Sequence, residues 1–233
     1  SGQIALGLQC HGYNFTYVNS SSSLEFSMLD AKLQILDGEA ENVLVGSTDE
    51  QTERTMELYK LNNSIKKEEN LPVDYLNSTT EGVIWGEGSS FFVLGKDKTE
   101  NSYAQLKDIQ IINTLELDET QKFIKDFLEK NNLRNEDIDS VILGFNGDSK
   151  SDVYYKNASE LFPNSSLLYY KHLSGEFNTA SGFSTFMACQ ILKNQEIPEV
   201  MKINDVKKQS IQNVLLYNHF GRRDHNLVLL EKI

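Results

Sequence analysis

The hydrophobic pattern changes period at four consecutive serines, residues 20–23. Ahead of them Tyr13, Phe15 and Tyr17 alternate with Asn14 and Thr16, which predicts a strand over 13–19 with one apolar face. Behind them Leu24, Met28, Ala31 and Ile35, flanked by Leu29 and Leu36, recur at helical spacing and predict a helix over 24–37. A small polar residue at such a junction has two uses. It caps the helix, or it presents a nucleophile at the positive end of the helix dipole, among free backbone N–H groups.

The rest of the chain alternates in the same way. A polar stretch over 48–80 holds a predicted helix at 52–61 and then an exposed loop to 77. Strands are predicted at 82–85, 90–95 and 104–113. Asp118, Glu119 and Thr120 open an amphipathic helix carrying Phe123, Ile124, Phe127 and Leu128 on one face. A strand at 140–145, a helix at 152–161, a strand at 166–170, a helix at 177–193 and strands at 213–218 and 226–232 complete the series. This is the order of an α/β layered fold, with no solenoid repeat and no low-complexity tract.

With 233 residues, 39% of them hydrophobic, the chain is long enough to bury the core of one or two domains. No apolar run approaches the roughly 20 residues of a membrane span, and neither end reads as a signal or transit peptide. The net charge of −12 argues against nucleic acid and anionic membrane as partners. Cys10 and Cys189 are the only cysteines, expected as free thiols in a reducing cytoplasm. Lys66-Lys67 and Lys207-Lys208 read as solvated basic pairs.

Four stretches in order carry a family resemblance. The first is the 13–50 segment, in which a strand, small residues, a helix, Gly38 and Val43-Leu44-Val45-Gly46 follow one another. Glu81-Gly82-Val83-Ile84-Trp85-Gly86-Glu87-Gly88, followed by Phe91-Phe92-Val93-Leu94, is the second. The others are Lys171-His172-Leu173-Ser174-Gly175-Glu176 and Asn218-His219-Phe220-Gly221. Together they resemble the β-ketoacyl synthases, the thiolase-fold condensing enzymes of fatty acid and polyketide synthesis. The resemblance implies a thiolase-like layered α/β fold with mixed sheets between helices. Residues 1–80 would end an incomplete N-terminal half and residues 81–233 would form the C-terminal half.

What the resemblance implies for chemistry is loss. Counting back from Gly38 places Ser21 at the family's nucleophilic cysteine. Asn146 falls at the first catalytic histidine and Glu176 at the second, while Lys171 keeps the family's lysine and is expected to pair with Glu176. Phe220 stands at the gating phenylalanine. Arg222, Arg223 and Asp224 replace the small residues after Gly221 and are expected to fill space otherwise left for substrate. A serine would need a base within hydrogen-bond reach, and of the four histidines His219 and His225 are the ones able to approach it. His172 reads as a surface or packed residue.

The implied protein is a chain-length-factor-like partner of an active ketosynthase, in pathways that include aryl polyene and flexirubin-like pigments. It would form a homo- or heterodimer with a thiolase-fold ketosynthase and reach acyl carrier protein through that partner, with no metal and no cofactor. Tyr13, Phe15, Tyr17, Phe26 and Met28 are candidates for the wall of an acyl tunnel, or else plain core. Two other classes stay open: a serine acyltransferase or hydrolase using Ser21, and a non-catalytic homodimer that binds acyl chains.

Overall fold

The computed structural model describes all residues, Ser1–Ile233. In chain order the elements are α1 (Gly2–Gly7), α2 (Ser23–Leu36), β1 (Asn42–Asp49), α3 (Glu53–Leu61), β2 (Gly88–Gly95), β3 (Gln105–Thr114) and α4 (Thr120–Lys130). Then follow β4 (Ser140–Leu143), α5 (Asp152–Ser159), β5 (Ser166–Tyr169), α6 (Lys171–Ser174), α7 (Ser181–Asn194), β6 (Asn213–Phe220) and β7 (Arg223–Glu231). No helix is long and apolar enough to cross a membrane.

The strands make two sheets. One is the antiparallel pair β1–β2; the other has the order β3-β7-β6-β4-β5 and is mixed. In it β4 runs parallel to β5 and β6, whereas β7 is antiparallel to both its neighbours. Central strands buried on both faces need continuous apolar runs. Val214–Tyr217 and Leu227–Leu230 supply them, every residue at 3% exposure or less.

Alternate residues of those strands feed two cores. On one face Val214, Leu216, Val228 and Leu230 meet α2 and α7 through Leu24, Met28, Ala31, Ala188, Ile191 and Leu192. On the other, Leu215, Tyr217, Leu227 and Leu229 meet α4 and α5. Val45 of β1, with Phe92 and Leu94 packed beside it, closes the first core from its far side. The layers therefore run two-stranded sheet, helices, five-stranded sheet, helices. The α/β layered expectation holds.

Local expectations fail where alternation lacked a neighbour. Residues 13–19 are extended but belong to no sheet, and Tyr13, Phe15 and Val18 are exposed. Their side-chain period is that of a strand; the hydrogen-bonding edge that would make it one is missing from this chain. Residues 82–85 make only single bridges, Ile65 with Val83 and Trp85 with Glu176. Helix α5 stops at Ser159, and α7 starts only at Ser181.

Lys66 is the clearest correction. It is 5% exposed rather than solvated. Its Nζ donates to Ser78 Oγ at 3.2 Å, Thr80 O at 2.9 Å and Gly147 O at 2.5 Å. Four-carbon stems let a lysine bury its length if the ammonium finds acceptors, and here the loop that follows it and the distant Gly147 carbonyl supply them. The 62–80 loop is thus clipped to the core.

Phe127 of α4 is fully buried in the second core. Phe127→Ala should destabilise the chain by about 3–5 kcal/mol, read as a lower urea midpoint with an unchanged slope.

Candidate functional site

The serine run folds as a single 3₁₀ turn, Ser20–Ser22, leading into α2. Ser20 is held at φ 50°, a left-handed conformation costly for a residue with a Cβ. The turn is tied by Ser23, whose hydroxyl donates to Ser20 O and accepts from the Asn19 N–H, both at 2.8 Å. Ser22, at the N-cap, makes no side-chain cap bond. Ser21 is 1% exposed, its hydroxyl has no hydrogen-bond partner, and its carbonyl accepts from Asn226 Nδ2 at 3.3 Å.

The other residues expected at the site converge on one atom. Lys171 Nζ and Asn146 Nδ2 both donate to Glu176 Oε2, each at 2.7 Å. Lys171, Asn146 and Glu176 are all 2% exposed or less. Glu176 is placed by backbone: its N–H donates to Ile84 O at 2.8 Å, and its carbonyl accepts from the Gly86 N–H at 2.9 Å. That pairing needs two glycines back to back. A Cβ on Gly86 would lie 2.1 Å from Ser174 O, and Gly175 sits at φ 73°.

Asn146 is oriented from behind. The Asn146 and Gly147 N–H groups donate to the two carboxyl oxygens of Asp152, at 3.1 and 2.9 Å. The Asn146 side-chain oxygen accepts from the Asp148 N–H at 3.0 Å, which leaves its amide to point at Glu176. Burial nevertheless pushes the Asp152 carboxyl up to about 7, against those two donors and the Lys171 charge.

A second buried acid was not singled out from the sequence. Glu25 lies one turn after Ser21 and is 1% exposed. Burial raises its carboxyl to about 7, opposed by the Ser181 hydroxyl and by Lys171. The available signal was a glutamate set between Leu24 and Phe26 at the start of the helix.

The histidines bring no base to Ser21. His219 and His225 are fully buried, with ring centroids 4.8 Å apart among Tyr154, Tyr155 and Tyr217. Neither nitrogen of His219 is hydrogen-bonded, while His225 Nδ1 pairs with the Tyr217 hydroxyl at 2.8 Å. Burial holds His219 well below its ordinary value, helped by His225 and Lys171, and holds His225 at about 4. His172 is a packed residue, stacked on Tyr169 with Nε2 at 2.9 Å from Val200 O.

Of the proposed wall, Met28 is core at 2% exposure, whereas Tyr17 and Phe26 stack on each other half-buried at 6.2 Å. Arg222 and Arg223 are exposed and fill nothing. Phe220 instead meets Trp85 edge-on at 5.7 Å, and Trp85 lies flat on Tyr59 at 3.8 Å. Two surface hollows, of about 280 and 200 Å³, include none of Ser21, Asn146, Lys171 or Glu176. No cluster of three or more His, Cys, Asp or Glu side chains is arranged to hold a metal.

Comparison with solved structures places this architecture. A β-ketoacyl synthase from Burkholderia phymatum STM815 superposes with TM-score 0.80 at 13% identity, over 100% of this chain and 64% of its own. The fold is thiolase-like. The ishigamide ketosynthase/chain length factor matches with TM-score 0.77 at 14% identity, over 100% of this chain and 64% of its own. A ketosynthase in complex with its chain length factor, from Xenorhabdus doucetiae, matches with TM-score 0.81 at 15% identity, over 100% and 63%. This chain spans less than two thirds of the length of each. No family model and no curated protein matches it.

Two tests follow from the buried charges. The folded state holds the Glu25 proton up to about 7 and the unfolded state only to about 4.5. Stability from this group is therefore intact below about 4.5, falls as pH rises between those values, and stays lost above 7. That loss amounts to about 3 kcal/mol. The buried histidines act in the opposite direction, losing stability on acidification, so the comparison is between variants. Glu25→Gln should gain on the parent protein progressively from pH 4.5 to 7 in urea titrations. Lys171→Met strands the Glu176 carboxylate and should destabilise by about 3–5 kcal/mol at pH 7; the double change Lys171→Met/Glu176→Gln should recover part of it.

Proposed function

We propose that this chain is a β-ketoacyl synthase-like protein of fatty acid or polyketide-type biosynthesis, without condensing activity of its own. It serves as a chain-length-factor-like partner of an active ketosynthase. One observation carries the reading: the two donors that meet at the site, Lys171 Nζ and Asn146 Nδ2, are both committed to Glu176 Oε2. Decarboxylative condensation needs a nucleophile, and donors left free for an oxyanion that develops during reaction. Here the anion is a permanent part of the chain, and Ser21 has no base beside it.

A protein silent in this way acts through shape. The extended segment 13–19, with Tyr13 62% and Phe15 59% exposed, offers both unpaired backbone and aromatic surface to a second thiolase-fold chain. Tyr17 and Phe26 then stand where that segment meets α2 and border the partner's acyl tunnel. Acyl carrier protein docks on the partner, since this chain carries a net charge of −12.

Purified alone, the chain should give no β-ketoacyl product from acyl and malonyl carrier-protein substrates, and Ser21→Cys should not change that. Co-expressed with a cysteine-bearing ketosynthase, Phe26→Ala should shift the length of the product and Ser21→Ala should leave it unaltered. Product lost on Ser21→Ala, with assembly intact, would favour a serine acyltransferase instead. Acyl-chain binding by a stable homodimer that takes no ketosynthase would favour the third class.

A further inference from the structure

The β6–β7 hairpin is irregular at its tip. Asn218 faces Asn226 and Phe220 faces Arg223, so His219 on β6 stands opposite two residues of β7, Asp224 and His225. That is a β-bulge, one extra residue on one strand, and it bends the strand that carries it. The turn itself is Gly221-Arg222, and Gly221, Arg222 and Asp224 have φ of 56°, 67° and 52°. Glycine adopts such values freely. Arginine and aspartate adopt them at a cost, and stay there only where the surroundings hold them.

What holds them is the pair of rings at the bulge. His219 and His225 are 0% exposed and stack across it, centroids 4.8 Å apart. Helix α5 closes over them: the Tyr155 hydroxyl accepts from the His219 N–H and donates to the His219 carbonyl, both at 3.0 Å. The Tyr217 hydroxyl pairs with His225 Nδ1 at 2.8 Å. Asp224 is tied by two amides, Asn113 Nδ2 donating to its carboxylate at 2.6 Å and Asn226 Nδ2 to its carbonyl at 2.9 Å.

This interior suits neutral imidazole only. The side chains packed on the rings are Tyr154, Tyr155 and Tyr217, all uncharged at neutral pH. Lys171 opposes a charge on His219, and so does His225. The groups that favour charge are the Ser151 backbone at His219, and the Arg222 backbone and Asp224 carboxylate at His225. Burial outweighs them, holding His219 well below its ordinary 6.5 and His225 at about 4. Glu116 and Asp118 act on Tyr154.

We propose that the hairpin tip, residues 220–225, is a proton-operated latch: neutral His219 and His225 keep it closed, and protonation of either ring releases it while the rest of the five-stranded sheet stays folded. In the released state the rings reach water, Arg222 and Asp224 leave the left-handed region, and Phe220 moves off Trp85. The latch is independent of the partner reading above.

The sign follows from linkage. Exposed in the open tip, each imidazole titrates near 6.5, whereas in the closed tip His225 does so only at about 4. Opening therefore gains up to about tenfold per pH unit from each histidine as pH falls below 6.5, and the share of His225 levels off near 4. Glu25 and Asp152 hold their protons more tightly folded than unfolded, so the same acidification stabilises the core around Lys171. That leaves the tip as the part which acid weakens.

The test uses the parent chain and His219→Phe, which keeps an aromatic ring in the pocket and removes no side-chain hydrogen bond. Amide exchange is followed from pH 7 to 5 and expressed as protection factors. Far-UV circular dichroism and the emission of Trp85, the only tryptophan, are read on the same samples. Protection at the tip should fall at least tenfold while Val214–Tyr217 and the far-UV signal stay unchanged, and Trp85 emission should shift as Phe220 leaves it. His219→Phe should shrink the fall at least threefold. Ring titration by NMR gives a second measurement that needs no variant: both imidazoles should protonate over the pH range in which the tip opens. Equal loss of protection at the tip and at Val214–Tyr217, or an undiminished fall in His219→Phe, overturns the latch. A tip that opens while both rings stay neutral overturns it as well.

Discussion

A buried ammonium is the constraint around which this structure is built. Lys171 is 1% exposed, and taking its charge out of water costs several kcal/mol unless a counter-ion and hydrogen bonds replace the solvent. Glu176 is that counter-ion, and much of the surrounding architecture exists to deliver it. Gly175 and Gly86 let two backbones approach closely enough to fix the Glu176 peptide. Asp152 fixes the turn that aims Asn146, and Lys66 clips the long 62–80 loop to the same turn through Gly147. The charge also reaches beyond its partner. It draws down the carboxyls of Glu25 and Asp152, against their burial, and helps keep His219 neutral.

The layer order was legible because periodicity reports which faces are buried. The α4 stripe, the apolar runs of β6 and β7, and the switch from period 2 to helical period at the serines all translate into the observed elements. What periodicity does not report is a partner. Tyr13, Phe15 and Tyr17 alternate like a strand, yet a strand is defined by its neighbour, and this chain contributes none. The site was legible in part: Lys171 and Glu176 meet, and Asn146 joins them, but Glu25, Asp152 and Lys66 were hidden. Charged residues are read as solvated by default, and their burial depends on acceptors distant in sequence, such as Gly147 for Lys66. Arg222 and Arg223 fail in the opposite sense. The left-handed turn at Gly221 and Arg222 carries both side chains outward, and the space expected for them near Phe220 is taken by Trp85 and Tyr59.

The buried polar atoms without partners form a pattern of their own. Ser21, Ser22, Ser47 and Thr179 have free hydroxyls, and the His219 ring is equally unpaired. Each such group costs about 1–3 kcal/mol relative to a satisfied one. The five-stranded sheet and its two cores have the apolar contact to offset that cost.

On the reading proposed above, the same geometry gives a reason for one substitution not to restore chemistry. Stabilising a transient oxyanion requires donors held in place with nothing to bind until charge develops. Lys171 and Asn146 are held in place, but Glu176 binds them permanently, and at 2.7 Å from both its oxygen leaves no room for a second anion on the same side. Removing Glu176 would free the donors at the price of an unpaired buried lysine. The same two donors cannot both hold the Glu176 carboxylate and bind a transient oxyanion, and in this structure they hold Glu176.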